Sequence, residues 1–343
     1  MIFRFFFLFC VVNMPFMSNS QSTAVTKPHL IILTTGGTIA SVNGQPMIDG
    51  PALVQAVPDI AEHAIITVET FSKIGSSQMT PAHWLRLAQR INQLFQDDPG
   101  LSGVVITHGT DTMEETAYFL NLTIRSKKPI VLVGSMRSAN EISADGPANL
   151  LNAVRVAVDE KSIGKGVLVV LNEEISAARE VWKTHNRRVE TFQSAAGFLG
   201  VVDPDQIRYY RNPIHPHTYQ VPFELDKVTA LPKVELVMDF TGFDPAILTY
   251  FAGKGLDGLV IGSFAGGRIS SGMLEGMKRA AEKGIPLVIA SQVPEGRIIG
   301  YPSYPFPVVF APDLSPKKAR ILLLLALMKT QDTMELQTFF ERY

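Results

Sequence analysis

The chain has 343 residues, 46% of them hydrophobic and 18% charged, and its 31 basic and 32 acidic side chains leave a formal charge of −1. That balance, without any basic block, gives no electrostatic reason to expect nucleic acid or an anionic membrane as a partner, so a small-molecule substrate is predicted. The length suits two domains that each bury a core, and the lone Cys10 excludes disulfides, thiol catalysis and cysteine-metal sites from the rest of the chain.

In chain order, residues 1–20 come first and differ in character from the remainder of the chain. Arg4 supplies one positive charge, residues 5–12 are an unbroken apolar run, and Ser18-Asn19-Ser20 ends the segment. The run is too short to span a bilayer. The order reads as a secretory signal peptide over residues 1–20, which predicts a mature protein that is periplasmic or secreted, with no membrane contact of its own.

From residue 29 onward, strand and helix patterns alternate. Strands are predicted at residues 29–35, 65–71, 103–107, 129–134 and 166–171, and helices at 81–95, 111–124 and 145–158. Pro81 and Pro147 suit first turns, and Asp111, Glu114 and Glu115 complement a helix dipole. Val, Ile and Leu runs without polar alternation mark strands buried on both faces, hence a mostly parallel sheet. Residues 211–232, punctuated by Pro213, Pro216, Pro222 and Pro232, read as an interdomain linker. A second series comes after it, with strands at 233–240, 258–264 and 286–292 and helices at 245–254, 271–283, 311–329 and 333–340. The predicted fold class is therefore α/β in two domains. A larger N-terminal domain (21–210) holds a mostly parallel, doubly wound sheet, and a smaller C-terminal parallel α/β domain spans 233–343. The apolar helix around residues 321–327 is expected to pack against a sheet or another subunit.

Two threonine-rich turns stand at carboxyl ends of predicted strands, the edge where open α/β sheets bind ligands. One is Thr34-Thr35-Gly36-Gly37-Thr38, and the other is Thr107-His108-Gly109-Thr110-Asp111-Thr112. Glycine lets backbone approach a substrate, and its N–H groups can hold a carboxylate or an oxyanion. Gly-Gly-Thr alone is also a common tight βα connection, and Thr110 or Asp111 is equally suited to capping a helix. Lys183 is the candidate for a base, although by spacing alone a surface lysine is the commoner case. His185, His215 and His217 lack metal-ligand spacing, so no metal is expected.

These motifs give the chain a family resemblance. Thr35-Gly36-Gly37-Thr38-Ile39-Ala40, Ile74-Gly75-Ser76, the unbroken stretch from Ile106 to Leu120, Ser143-Ala144-Asp145-Gly146-Pro147, Lys183-Thr184, Leu231-Pro232-Lys233-Val234 and Ala319-Arg320-Ile321-Leu322-Leu323 resemble the bacterial type II L-asparaginases. Those enzymes are secreted amidohydrolases that convert asparagine, and often glutamine, to the acid and ammonia. The resemblance implies that Thr38 is the nucleophile of an acyl-enzyme and that Thr110, Asp111 and Lys183 form the second catalytic group. It also implies that Ser76 and Asp111, with Thr110, hold the substrate's α-carboxylate and α-amino groups, and His108 is matched to a structural, hydrogen-bonded residue. No cofactor is implied. The partner is a small amino acid, and the assembly is a homotetramer, a dimer of dimers.

The chain departs from the family pattern in four places. The segment 41–51 has no tyrosine to assist the nucleophile, and Ser77 replaces a glutamine or glutamate. Ala265-Gly266-Gly267-Arg268 replaces a segment that supplies an asparagine across the interface, and residues 300–308 lack the interface glutamate. Arg268, Tyr301 and Tyr304 are left without an assigned role. Three readings stay open: an asparaginase, an amidohydrolase of the same fold acting on another amide, and a non-catalytic amino-acid-binding protein.

Overall fold

The continuous apolar runs form the middle of one large sheet. A computed structural model describes residues 27–41 and 48–343; the signal-peptide expectation for residues 1–20 and most of the segment after the first turn lie outside the described residues. The N-terminal domain contributes β1 (His29–Thr34), β2 (Ile65–Thr70), β3 (Leu101–Thr107), β4 (Ile130–Val133), β5 (Val167–Leu171), β6 (Glu174–Ala177), β7 (Trp182–Lys183), β8 (Phe192–Gln193), β9 (Gly200–Val202) and β10 (Ile207–Tyr209). Eight of these form a sheet of order β10-β9-β6-β5-β4-β3-β1-β2, parallel from β2 to β5 and antiparallel beyond. β7 and β8 make a separate antiparallel pair.

Alternation explains why the runs are apolar throughout. Leu30 and Ile32 face one layer, with Val105, Val131 and Leu168. Ile31 and Leu33 face the other, with Val104, Ile106 and Leu132. Successive strand side chains point to opposite faces, and both faces are covered. The helices that cover them in this domain are α1 (Gly50–Gln55), α2 (Ile60–His63), α3 (Pro81–Asp97), α4 (Met113–Asn121) and α5 (Gly146–Val158). On α3, Trp84, Leu87, Ile91 and Leu94 recur at helical spacing and are buried. Thr80 caps that helix reciprocally with His83.

The C-terminal domain carries β11 (Val234–Met238), α6 (Ala246–Ala252), β12 (Gly258–Ser263), α7 (Ser271–Glu282), β13 (Leu287–Ser291), β14 (Val309–Ala311), α8 (Pro316–Ala326) and α9 (Thr333–Arg342). Its four strands are parallel in sequential order. The fold is thus α/β in two domains, a large mixed and mostly parallel sheet and a small parallel one. Ala311 belongs to a three-residue strand between Pro307 and Pro312 rather than to the predicted helix. The helix begins after Ser315, whose hydroxyl accepts from the Lys318 N–H, with Pro316 at its first position. Residues 321–326 of α8 are fully buried between the small sheet and α4, so this helix joins the two domains within one chain. The 211–232 segment is mostly irregular, yet it is pinned to the body. Phe223 and Leu225 are fully buried, and Gln89 donates to the carbonyls of Leu225 and Val228.

Candidate active site

The parallel strands run in the order β2-β1-β3-β4-β5, so the direction of winding reverses between β1 and β3. Both threonine turns leave the carboxyl ends of those two strands, at the switch point where such sheets bind ligands. The turns are in direct contact. Thr35 N–H and its hydroxyl both donate to Thr107 O, at 3.1 and 2.8 Å. A Cβ placed on Gly37, which has φ +88°, would lie 2.3 Å from Gly109 N, and one on Gly109 would lie 2.6 Å from Ser76 Oγ. Only glycine at both positions lets the Thr38 and Thr110 backbones come this close.

Thr38 begins a short 3₁₀ turn, Thr38–Ala40, and is partly exposed. The Ser41 hydroxyl donates to Gly37 O and closes that turn. Thr110 is 5% exposed, and Asp111 beside it is largely open to solvent. Lys183 comes from 72 residues farther along the chain than Asp111, yet its Nζ donates to Thr110 Oγ1 at 2.9 Å and to Asp111 Oδ1 at 2.8 Å. The structure thus brings Lys183 against Thr110 and Asp111, which lie on the loop that packs against the Thr38 turn. Ser76 joins them, since its hydroxyl accepts from Asp111 N–H at 3.2 Å and its carbonyl accepts from the Thr112 hydroxyl at 2.8 Å. The capping alternative is not realised. Thr112 is the residue before α4, with no side-chain cap, and the Asp111 carboxylate turns to Lys183.

His108 lies in the core, as the resemblance implies. Its Nδ1–H donates to Gly109 O at 2.7 Å, which leaves Nε2 to accept from the Thr116 hydroxyl at 3.0 Å. Trp84 Nε1 donates to that same hydroxyl at 2.9 Å, so an α3–α4 hydrogen-bond chain holds the Gly109 carbonyl. Burial pushes the His108 pKa from 6.5 down to about 4. A histidine that stays neutral when folded but titrates normally when unfolded makes the unfolded chain the better proton binder as pH falls. Stability is therefore expected to decline between about pH 6.5 and pH 4 by roughly 2–3 kcal/mol. Denaturant melts of wild type and His108→Gln across that range check this, because the difference between the two must shrink towards low pH.

Lys183 stands on β7, a two-residue strand that the sequence pattern does not reveal and that lies outside the large sheet. Its neighbour strand β8 pairs Phe192 with Lys183. His185 braces the intervening loop, accepting from Arg187 and Arg188 N–H at 3.0 Å each. Sequence reasoning also missed Glu114, read there only as a helix-dipole residue. It is buried, accepting from Lys183 N–H at 2.8 Å and from Lys317 Nζ at 2.9 Å. Nothing in local sequence marks Glu114 as buried; the α4–α8 packing does that. Of the residues left unassigned, Arg268 and Ser77 are exposed. The Tyr304 hydroxyl donates to Gly267 O at 2.6 Å, and the Tyr301 ring stacks on Phe310 at 4.4 Å. Among the described residues no group of three or more His, Cys, Asp or Glu is arranged to hold a metal ion.

Residues 29–215 match the family described as Asparaginase, N-terminal, and residues 233–340 match the Glutaminase/Asparaginase C-terminal domain. A protein of Haemophilus influenzae named probable L-asparaginase periplasmic is 42% identical, over 94% of this chain and 95% of its own length. A glutaminase-asparaginase of Pseudomonas fluorescens biotype A is 36% identical, over 94% and 92% of the two chains. The solved structure of a probable cytoplasmic L-asparaginase from Campylobacter jejuni superimposes with a TM-score of 0.88 at 42% identity, covering 92% of this chain and all of that one. Fold and matches together define an amidohydrolase of the two-domain α/β class. The chain belongs to the asparaginase family.

Proposed function

We propose that the protein hydrolyses L-asparagine, and L-glutamine more weakly, to the acid and ammonia through a threonine acyl-enzyme. The observation that carries this reading is the contact of Lys183 Nζ with both Thr110 and Asp111 beside the Gly-Gly-Thr turn. In the first step the Thr38 hydroxyl oxygen attacks the side-chain amide carbon. The C–O bond forms, the C–N bond breaks, and the hydroxyl proton leaves with the amine as ammonia. Water then cleaves the ester, which frees the acid and restores Thr38. As water attacks the ester, Thr110 takes its proton and passes its own to the Lys183 amine. Asp111 steadies the ammonium so formed, and the proton returns by the same route to the departing Thr38 oxygen, which restores both groups. Ser76 and Asp111 hold the substrate's charged ends, which places its amide over the threonines. Turn N–H groups stabilise the tetrahedral oxyanion, where losing one donor typically costs about 3–4 kcal/mol of barrier. No step calls for a metal or organic cofactor.

Relatives named L-asparaginase and glutaminase-asparaginase support the choice of substrates. A second reading, hydrolysis of a different amide, draws on the exposed Ser77 and Arg268. Ammonia release by the purified protein from a panel of amino-acid amides separates the two. Asparagine is expected first and glutamine second. Faster release from another amide selects the second reading, and tight asparagine binding with no turnover of any amide in the panel refutes both in favour of a binding protein. The same proposal includes export to the periplasm or beyond, resting on the apolar run at residues 5–12. Relatives' names point both ways, one periplasmic and one cytoplasmic. It also includes a homotetramer, for which the exposed Met238, Phe240 and Tyr250 of the C-terminal domain offer apolar surface.

A further inference from the structure

Two adjacent lysines at the start of α8 reach across the domain boundary to the segment that carries Lys183. Lys318 is buried, and its Nζ donates to the carbonyls of Arg179 at 2.8 Å and Val181 at 2.5 Å. Lys317 holds Glu114 Oε1 at 2.9 Å, while Glu114 Oε2 accepts the Lys183 N–H at 2.8 Å. The grip thus falls on alternate positions, 179, 181 and 183. The Arg179 side chain adds a third tie, donating to Asp313 at 2.8 Å and to the carbonyl of the terminal Tyr343 at 2.9 Å. β7 is only two residues long and pairs with a strand of equal length, so it has few ladder bonds with which to fix its own register. The external ties replace them.

We propose that Lys317, Lys318 and Glu114 are positioning residues, through which the C-terminal domain of the same chain sets the place of Lys183 against Thr110 and Asp111. The inference rests on the catalytic role proposed above for Lys183. Its physical basis is that a proton-transferring amine displaced by about 1 Å can lose about 10²-fold in rate while substrate binding, made by other groups, is unaffected. Lys317 is half-exposed and spans the boundary from one end, so its methionine variant keeps the stem packing and the fold.

Ammonia release by the full chain is compared for wild type, Lys317→Met, Glu114→Gln and Glu114→Leu, well below every melting temperature. Leu248→Ala, a fully buried site in the core of the C-terminal domain away from the clamp, is the stability control. Glu114→Leu is expected to lose about 10–100-fold in kcat and Lys317→Met roughly 3–10-fold, both with KM within about twofold of wild type. Glu114→Gln keeps an oxygen for the Lys183 N–H and falls between Glu114→Leu and wild type, while Leu248→Ala melts lower with kcat unchanged. In the same samples the rate at which an acylating reagent labels Lys183, read by peptide mass spectrometry, rises in Glu114→Leu and Lys317→Met and not in Leu248→Ala. Unchanged kcat with unchanged labelling in Lys317→Met overturns the proposal, as does a loss that Leu248→Ala reproduces. If wild type releases no ammonia, the parent reading fails and the labelling rates alone decide the clamp.

Discussion

Thr38→Ala is expected to lose ammonia release from asparagine by at least about 10⁴-fold in kcat, while asparagine still binds when measured by calorimetry. The removed oxygen is the one proposed to form the ester, and alanine offers no substitute. The turn itself survives, because its geometry rests on Gly36 and Gly37, both at positive φ, and on the Ser41 hydroxyl bond to Gly37 O rather than on the Thr38 side chain. Thr110→Val, which keeps the shape and removes the hydroxyl, is expected to lose roughly 10²–10⁴-fold. Thr110 is almost fully buried, and the change leaves Lys183 with Asp111 as its remaining side-chain partner in the contact. Full activity in both variants ends the assignment of the two threonines. Activity lost only in Thr110→Val moves the nucleophile from the first turn to the second.

Lys183→Met separates catalysis from stability. The Lys183–Asp111 pair looks like a stabilising ion pair at 2.8 Å, but Asp111 is 65% exposed. Pairs open to solvent contribute about 0–1 kcal/mol. The melting temperature should therefore move little, whereas kcat is expected to fall by roughly 10²–10⁴-fold because the group that exchanges a proton with Thr110 is gone. Lys183→Arg sharpens the test. Arginine keeps a positive charge beside Asp111 but stays protonated at any working pH. It is expected to remain as inactive as the methionine variant if Lys183 works by proton transfer. Recovery of the wild-type rate by Arg would mean that charge alone is needed, and the acid–base role would fall.

The legible parts of this chain were those whose cause is local. Apolar runs at residues 29–35 and 103–107 announced buried parallel strands because both faces of each strand need covering, and Pro81 and Pro147 marked helix starts through their fixed φ. Thr110 and Asp111 stood out in one continuous motif. The antiparallel strands β6, β9 and β10 were not legible, being three or four residues long and held by pairing rather than propensity. β14 escaped for the same reason, hidden between two prolines.

By itself the sequence determined the alternation of elements, hence the α/β class, and it placed Thr38 and Thr110 at carboxyl ends of strands. Backbone periodicity and turn chemistry act over a few residues and are written where they act. Tertiary structure decided which distant side chains meet. Lys183 reaches Thr110, and Lys317 reaches Glu114 across 203 residues. Those meetings arise from strand order and from the burial of α8 between the small sheet and α4, free-energy contributions that belong to the packed whole and have no signature in any one segment.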